Sequence, residues 1–211
     1  NGGRFQAGNS PGQARNGSWT FSGASQANGL NNLGWEINNA TGAAGPTADA
    51  QGNVSGWSEL YAYQQTDPFP TAGNFSFTAT PTDKFTIALQ TLMNPTPAGT
   101  DNFGPMANFD PFNPIGYSWT VVHWDNAYSG PTDDLTLYRS TTFLTSGNAD
   151  YAPFANPFSM SFFWHLDLVN HNLNLVYGEF VTIPEPGTLA LLTAAAAGGW
   201  LVRRRRRGKV V

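Results

Sequence analysis

The chain has 211 residues, 40% of them hydrophobic and only 11% charged, which is room for one domain with a buried core and an accessory segment. There is no cysteine, so disulfides, thiolate chemistry and Cys-based zinc sites are excluded. Six of the ten basic residues, Arg203 to Arg207 and Lys209, crowd at the C-terminus; residues 1–182 keep four basic against thirteen acidic side chains, a balance of −9 that offers no footprint for nucleic acid.

Residues 1–53 are rich in Gly, Asn, Ala and Ser, with apolar islands at Trp19-Thr20-Phe21 and Leu33-Gly34-Trp35-Glu36-Ile37. From residue 54 a two-residue alternation recurs. Trp57, Glu59, Tyr61 and Tyr63 alternate with Ser58, Leu60, Ala62 and Gln64; Phe75, Phe77 and Ala79 alternate with Asn74, Ser76 and Thr78; Phe85, Ile87 and Leu89 alternate with Lys84, Thr86, Ala88 and Gln90. Successive strand side chains point to opposite faces, so these segments are half-buried strands. Residues 93–116 hold five prolines and three glycines, which block helix and ladder alike and predict a long loop. Strands resume at Tyr117–Trp124 and Leu135–Leu144. Phe158–Leu168, with Phe158, Met160, Phe162, Trp164, Leu166 and Leu168 on one face, turns through Asn170-His171-Asn172 into Leu173–Ile183 as a hairpin.

No sustained helical period precedes residue 187, and no internal repeat is visible. The expected fold is all-β: an antiparallel β-sandwich of jelly-roll type with about nine strands. It spans residues 15–183, after a flexible segment over 1–14, and a C-terminal region over 184–211 follows it.

That last region has three parts in fixed order. Ile183-Pro184-Glu185-Pro186-Gly187 can sit neither inside a helix nor in a central strand and stays extended, as a protease needs its substrate. Thr188 to Val202 is uncharged, and as a helix it spans about 22 Å at ~1.5 Å per residue, short of a hydrocarbon core of roughly 30 Å. Snorkelling arginines, an interfacial Trp200 and local thinning make up the difference. Arg203, Arg204, Arg205, Arg206 and Arg207 then stop translocation and stay cytoplasmic, so the body faces outward. Because this logic requires export, a signal peptide is expected upstream of Asn1.

The arrangement over residues 183–207 resembles the PEP-CTERM sorting region of bacterial surface proteins. It departs from many members in having Gly187 before Thr188 and a short Gly-Lys-Val-Val tail. The resemblance implies processing near Pro184–Pro186 by an exosortase, a membrane-embedded transpeptidase. It also implies a C-terminal anchor in the inner membrane before processing, and then a place at the cell surface or in the extracellular matrix with exopolysaccharide or biofilm.

Candidate chemistry in the body is sparse. Gly8-Asn9-Ser10-Pro11-Gly12 matches the letters of a nucleophile elbow but lacks the strand and helix that the elbow needs. His123 shares a strand face with Tyr117, Trp119 and Val121 and reads as a packed or rim histidine; His165 faces solvent with Asp167, and His171 is a turn residue. Glu36 and Glu59 sit on strands beside Trp35 and Trp57. Glycosidases use paired carboxylates, but outward solvated glutamates are far commoner. Asp101, Asn102, Asp110, Asp125, Asn126, Asp133 and Asp134 lie in or near loops, where turn formation explains them without calcium. Seven Trp, seven Tyr and fifteen Phe allow sugar stacking, although core packing accounts for most of them. The expectation is a non-enzymatic surface or matrix protein without metal or cofactor, partnered by exosortase, membrane and polysaccharide; the alternative is a surface-displayed carbohydrate-binding module.

Overall fold

The computed structural model describes residues 5–6, 11–23, 32–64, 72–100, 102–146 and 153–179. The chain divides into two units, Asn1–Glu179 and Phe180–Val211. The whole second unit lies outside the described residues, and with it the membrane helix expected over 188–202.

The body is mostly strand, as the alternation implies. In chain order come β1 (Phe5–Gln6), β2 (Gln13–Asn16), β3 (Ser18–Phe21) and β4 (Asn32–Ile37), then the short pieces β5 (Ala43–Ala44), β6 (Asn53–Val54) and β7 (Gly56–Trp57). β8 (Glu59–Ala62), β9 (Asn74–Phe77), β10 (Phe85–Thr91) and β11 (Thr96–Pro97) follow. The last group is β12 (Tyr117–Trp124), β13 (Tyr128–Ser129), helix α1 (Asp134–Arg139), β14 (Thr141–Leu144), β15 (Ser161–Asp167) and β16 (Asn172–Gly178). Strand therefore begins before residue 15, at β1 and β2.

The pairing differs from the antiparallel sandwich expected from the sequence: the sheets are mixed. β2, β8 and β12 pair in parallel, as do β3, β9 and β13, and as do β4, β10 and β14. Each passage of the chain thus lays one strand on each of three sheets in the same order, and the next passage stacks on it. This is the connectivity of a three-turn parallel coil. Parallel partners need a long crossover, and here the rest of the turn supplies it in place of a helix. Equivalent side chains stack in register: Leu33 with Ile87 with Phe143, Trp19 with Phe75 with Tyr128, and Ala14 with Leu60 with Val122. Alternation determines which side chains point inward but says nothing about strand direction or partner, so the sequence carried no sign of the parallel stacking.

The parallel series ends at the hairpin. β16 pairs antiparallel with β12 and β15 antiparallel with β16, as expected for the 158–183 segment though over narrower bounds. The third turn also departs from expectation at residue 135, where α1 replaces the start of a strand. Asp133 caps this helix by accepting from the Thr136 N–H (2.7 Å), and Asp134 places a negative charge in its first turn. Asp134 Oδ1 also accepts from the Leu166 N–H (2.9 Å), which covers part of the outer edge of terminal strand β15. The 93–116 loop is pinned by β11 against β6 and by bridges from Leu92 to Phe103 and from Asn39 to Ala107.

The core is aromatic. Trp35, Trp119, Trp124, Trp164, Tyr177, Phe75 and Phe77 are fully buried. Each such ring removes a large apolar area from water, roughly 1.5–3 kcal/mol for a buried side chain of this class. The polar atoms of four of them are met: Trp35 donates to Ser58 O (2.7 Å), Trp119 to Ala40 O (2.9 Å), Trp164 to Thr141 Oγ1 (2.8 Å) and Tyr177 to Pro111 O (2.9 Å). Gly56 has φ +149°, and a Cβ there would lie 1.9 Å from Ala43 O, so the contact of β5 with β7 requires glycine.

Candidate functional site

Two surfaces gather polar and aromatic chemistry. The first is the outward face of the sheet ordered β15-β16-β12-β8-β2. Leu60 and Ala62 of β8 point inward, which turns Glu59, Tyr61 and, just past the strand, Tyr63 outward, each half-buried; Trp57, on β7 of a neighbouring sheet, is half-buried against the core with its indole N–H on Thr120 O (3.0 Å). In β12 a bulge between Thr120 and Val122 shifts the alternation by one residue. Trp119, Val121, Val122 and Trp124 are all buried as a result, while His123 emerges on the opposite face, not with Trp119 and Val121 as expected.

The shift completes a lateral row across all five strands: Arg15, Tyr61, His123, Asn172 and Asp167 are successive register partners. The Arg15 guanidinium lies over the Tyr61 ring at 5.4 Å, and the Tyr61 and His123 rings are 4.9 Å apart. Tyr61 donates to Asp125 Oδ1 (2.7 Å), Gln64 N–H donates to Asp125 Oδ2 (2.8 Å), and His123 Nδ1 lies 2.7 Å from Asn172 Oδ1. Beside the row, Gln13 joins Arg15 to Glu59. The hydrogen bond to Asp125 raises the Tyr61 phenol above its ordinary value, with partial burial and the Asp125 charge adding to it against Arg15. Partial burial opposes ionisation of Asp125, but the bonds from Gln64 and Tyr61 and the nearby histidines outweigh it and lower its carboxyl. Tyr61 thereby keeps its proton and serves as a donor to Asp125 at neutral pH.

The second surface is a cleft of about 530 Å³ at the end of the coil, between terminal strands β14 and β15. Thr141, Phe143 and Thr145 line one side and Met160, Ser161 and Phe162 the other, with Phe158, Tyr138, Lys84 and Arg139 around them.

The remaining candidates from the sequence are scattered. Glu36 is wholly buried, not solvated, because both faces of β4 are covered; its register partner Gln90 is buried too. Glu59 lies on the outward face of another sheet, held by Gln13. His165 is exposed and its Nδ1 lies 3.0 Å from Asp134 Oδ2, while His171 takes φ 56° in the hairpin turn and stacks on Trp124. Asp110 accepts from the Phe112 N–H (2.9 Å) as a turn residue does. Residues 8–10, Asp101, Pro184, Glu185, Pro186 and Arg203 to Arg207 lie outside the described residues. Sequence reading missed Arg15, Asp125 as the partner of Tyr61, and the cleft cations. The signal for the cations was two lone basic residues, Lys84 and Arg139, in the middle of an acidic body.

Among comparisons with known proteins, residues 182–207 match the family model described as the PEP-CTERM protein-sorting motif. No curated protein and no solved structure matches the chain. The matched segment marks an exported protein with a C-terminal sorting signal, and implies processing by exosortase, a membrane enzyme.

Proposed function

We propose that this PEP-CTERM protein is a non-enzymatic surface or extracellular-matrix component associated with exopolysaccharide, anchored in the inner membrane by residues 188–202 until it is cut near Pro184–Pro186. The observation that carries the reading is the sorting motif, joined to a mostly β body in which 48% of the described residues are strand. A stacked coil with a ring-filled core suits a durable scaffold. Its three histidines and the described Asp110, Asp125, Asp133 and Asp134 are engaged in turns, caps, hydrogen bonds and ring contacts. Mass spectrometry of the mature protein from the native host tests the sorting: molecules ending near residues 184–186 are expected, whereas Arg203 to Val211 intact on most molecules would refute processing. Co-sedimentation with the host's exopolysaccharide tests the association. Turnover of a glycan that disappears on Glu59→Gln would overturn the non-enzymatic reading.

A second reading, a carbohydrate-binding module, is favoured by the half-exposed Tyr61 and Tyr63 on one outward face. Against it, four of the seven tryptophans, Trp35, Trp119, Trp124 and Trp164, are buried and unavailable for stacking. Tyr61→Ala and Tyr63→Ala distinguish the two: a module loses glycan affinity, a scaffold does not.

A further inference from the structure

We propose that the cleft between β14 and β15 is a subsite for the carboxylate of an acidic saccharide, a uronic acid unit of the matrix; the proposal rests on reading the body as polysaccharide-associated. Three observations converge there.

The first is charge. Among the described residues the cations are Arg15, Lys84 and Arg139, and two of the three line this one cleft. The fold brings them together. Phe85 N–H bonds Ser140 O (2.9 Å) and Phe85 is the parallel partner of Thr141, so Lys84 and Arg139 flank the same junction between β10 and β14. Phe85 and Ser140 point into the core, and Lys84 and Arg139 are left exposed. The ion pairs His123–Asp125 and His165–Asp134 involve other residues, and neither Lys84 nor Arg139 lies within 4 Å of a described carboxylate oxygen. Within a body of balance −9, two uncompensated cations at one opening make a local anion site.

The second is the lining. Thr145 and Ser161 place hydroxyls among the rings of Tyr138, Phe143 and Phe158, whereas the buried Thr141 hydroxyl is already held between Leu137 O (2.9 Å) and the Trp164 indole N–H (2.8 Å). Tyr138 is 37% and Phe158 43% exposed, and both rings border the cleft, which the comparably exposed Phe103 and the more exposed Phe112 do not. Exposed ring faces meet the C–H face of a pyranose, hydroxyls meet its O–H groups, and the cations meet its carboxylate.

The third is size and position. The volume is within the range for small-ligand sites, and the cleft opens where two sheets end, so a long polymer can pass through without entering the core. α1 covers the Leu166 end of β15 through Asp134, leaving the Met160–Phe162 end for the cleft.

The test is titration of the full chain with tetragalacturonate, its fully methyl-esterified form, a neutral cello-oligosaccharide of the same length, and hexaglutamate. Tetragalacturonate is expected to bind best, with affinity falling as salt rises. Lys84→Gln and Arg139→Gln should each weaken it about 3- to 10-fold and the pair more, the usual size of a lost charge-assisted contact. Val169→Ala, at an exposed residue of the hairpin turn outside both surfaces, should leave this affinity unchanged. Near-UV circular dichroism checks that each variant is folded. Tetragalacturonate bound as tightly by the double variant would overturn the cleft assignment while polysaccharide association stands. Equal binding of the methyl ester would overturn the carboxylate role. Equal binding of hexaglutamate would point to a peptide at the free edge of β14 and overturn the saccharide class. No binding of any saccharide, together with no co-sedimentation with the host's polymer, would remove the underlying reading as well.

Discussion

Replacing Ile87 by alanine probes the stacked core directly. Ile87 is fully buried on β10, between Leu33 of the turn before and Phe143 of the turn after. Alanine deletes three side-chain carbons, worth about 2.4 kcal/mol of lost transfer at ~0.8 kcal/mol per carbon. The void adds to this. If half of the deleted volume fails to collapse, roughly 40 Å³ remains, costing about 1 kcal/mol at ~24 cal/mol per Å³. The expected loss is therefore about 3–4 kcal/mol, a large share of a typical domain stability of about 5–15 kcal/mol. At about 2–4 °C per kcal/mol for a chain of this size, Tm should fall by roughly 7–14 °C. Urea unfolding followed by tryptophan fluorescence measures the free energy, and Ile87→Val should cost only about 1 kcal/mol. Leu33→Ala combined with Ile87→Ala should be non-additive, because the two side chains share one void. A loss under about 1 kcal/mol for Ile87→Ala with an unchanged m-value, or strict additivity with Leu33→Ala, would refute the stacking.

Other outcomes follow from the same geometry. Thr20 and Ser76 are outward-facing partners of parallel strands β3 and β9, so Thr20→Cys with Ser76→Cys in this cysteine-free chain should oxidise to an intramolecular disulfide, seen by a gel shift and mass; failure to cross-link would contradict the parallel register. Asp125 has a carboxyl held below its ordinary 3.8, so its contribution is present above that value and lost as pH falls through the lowered one. It is largely exposed, so Asp125→Asn should cost less than about 1 kcal/mol at pH 7, a difference that vanishes in strong acid. The same substitution should let the Tyr61 phenol fall back toward 10, read by NMR of labelled tyrosine; an unmoved phenol would sink the hydrogen-bond explanation. Asp133→Ala removes the cap of α1 and should cost about 0.5–2 kcal/mol in thermal unfolding, with no effect pointing to a helix held by Leu137 packing alone.

Much of the local structure was legible in the residues. Alternation located β8, β9, β10 and the hairpin of β15 and β16, and it gave β12 to the residue, because one covered face forces a period of two. It also placed Leu60 and Tyr61 on opposite faces. It failed where a local feature changes the phase: the bulge after Thr120 moved His123 to the outward face, and the Asp133 cap turned 134–139 into a helix. Glu36 was misjudged because burial of both faces of a strand depends on what crosses over it, which lies elsewhere in the chain.

The sorting motif is the extreme of legibility. Its meaning lies in a short contiguous run of proline, apolar and arginine residues that implies processing by exosortase, so the order of residues 182–207 was enough to identify it. The parallel coil is the other extreme. Its turns share no visible repeat, since a core position accepts any apolar side chain of suitable volume, and Leu33, Ile87 and Phe143 occupy one stack with three different shapes. Strand partners and directions are set by long-range packing, and only the tertiary structure brought Lys84 beside Arg139 and aligned Arg15, Tyr61 and His123 in one row. Composition and order determined export and strand content; the pairing of distant segments decided which side chains meet, because that contact energy exists only once the chain has closed its turns.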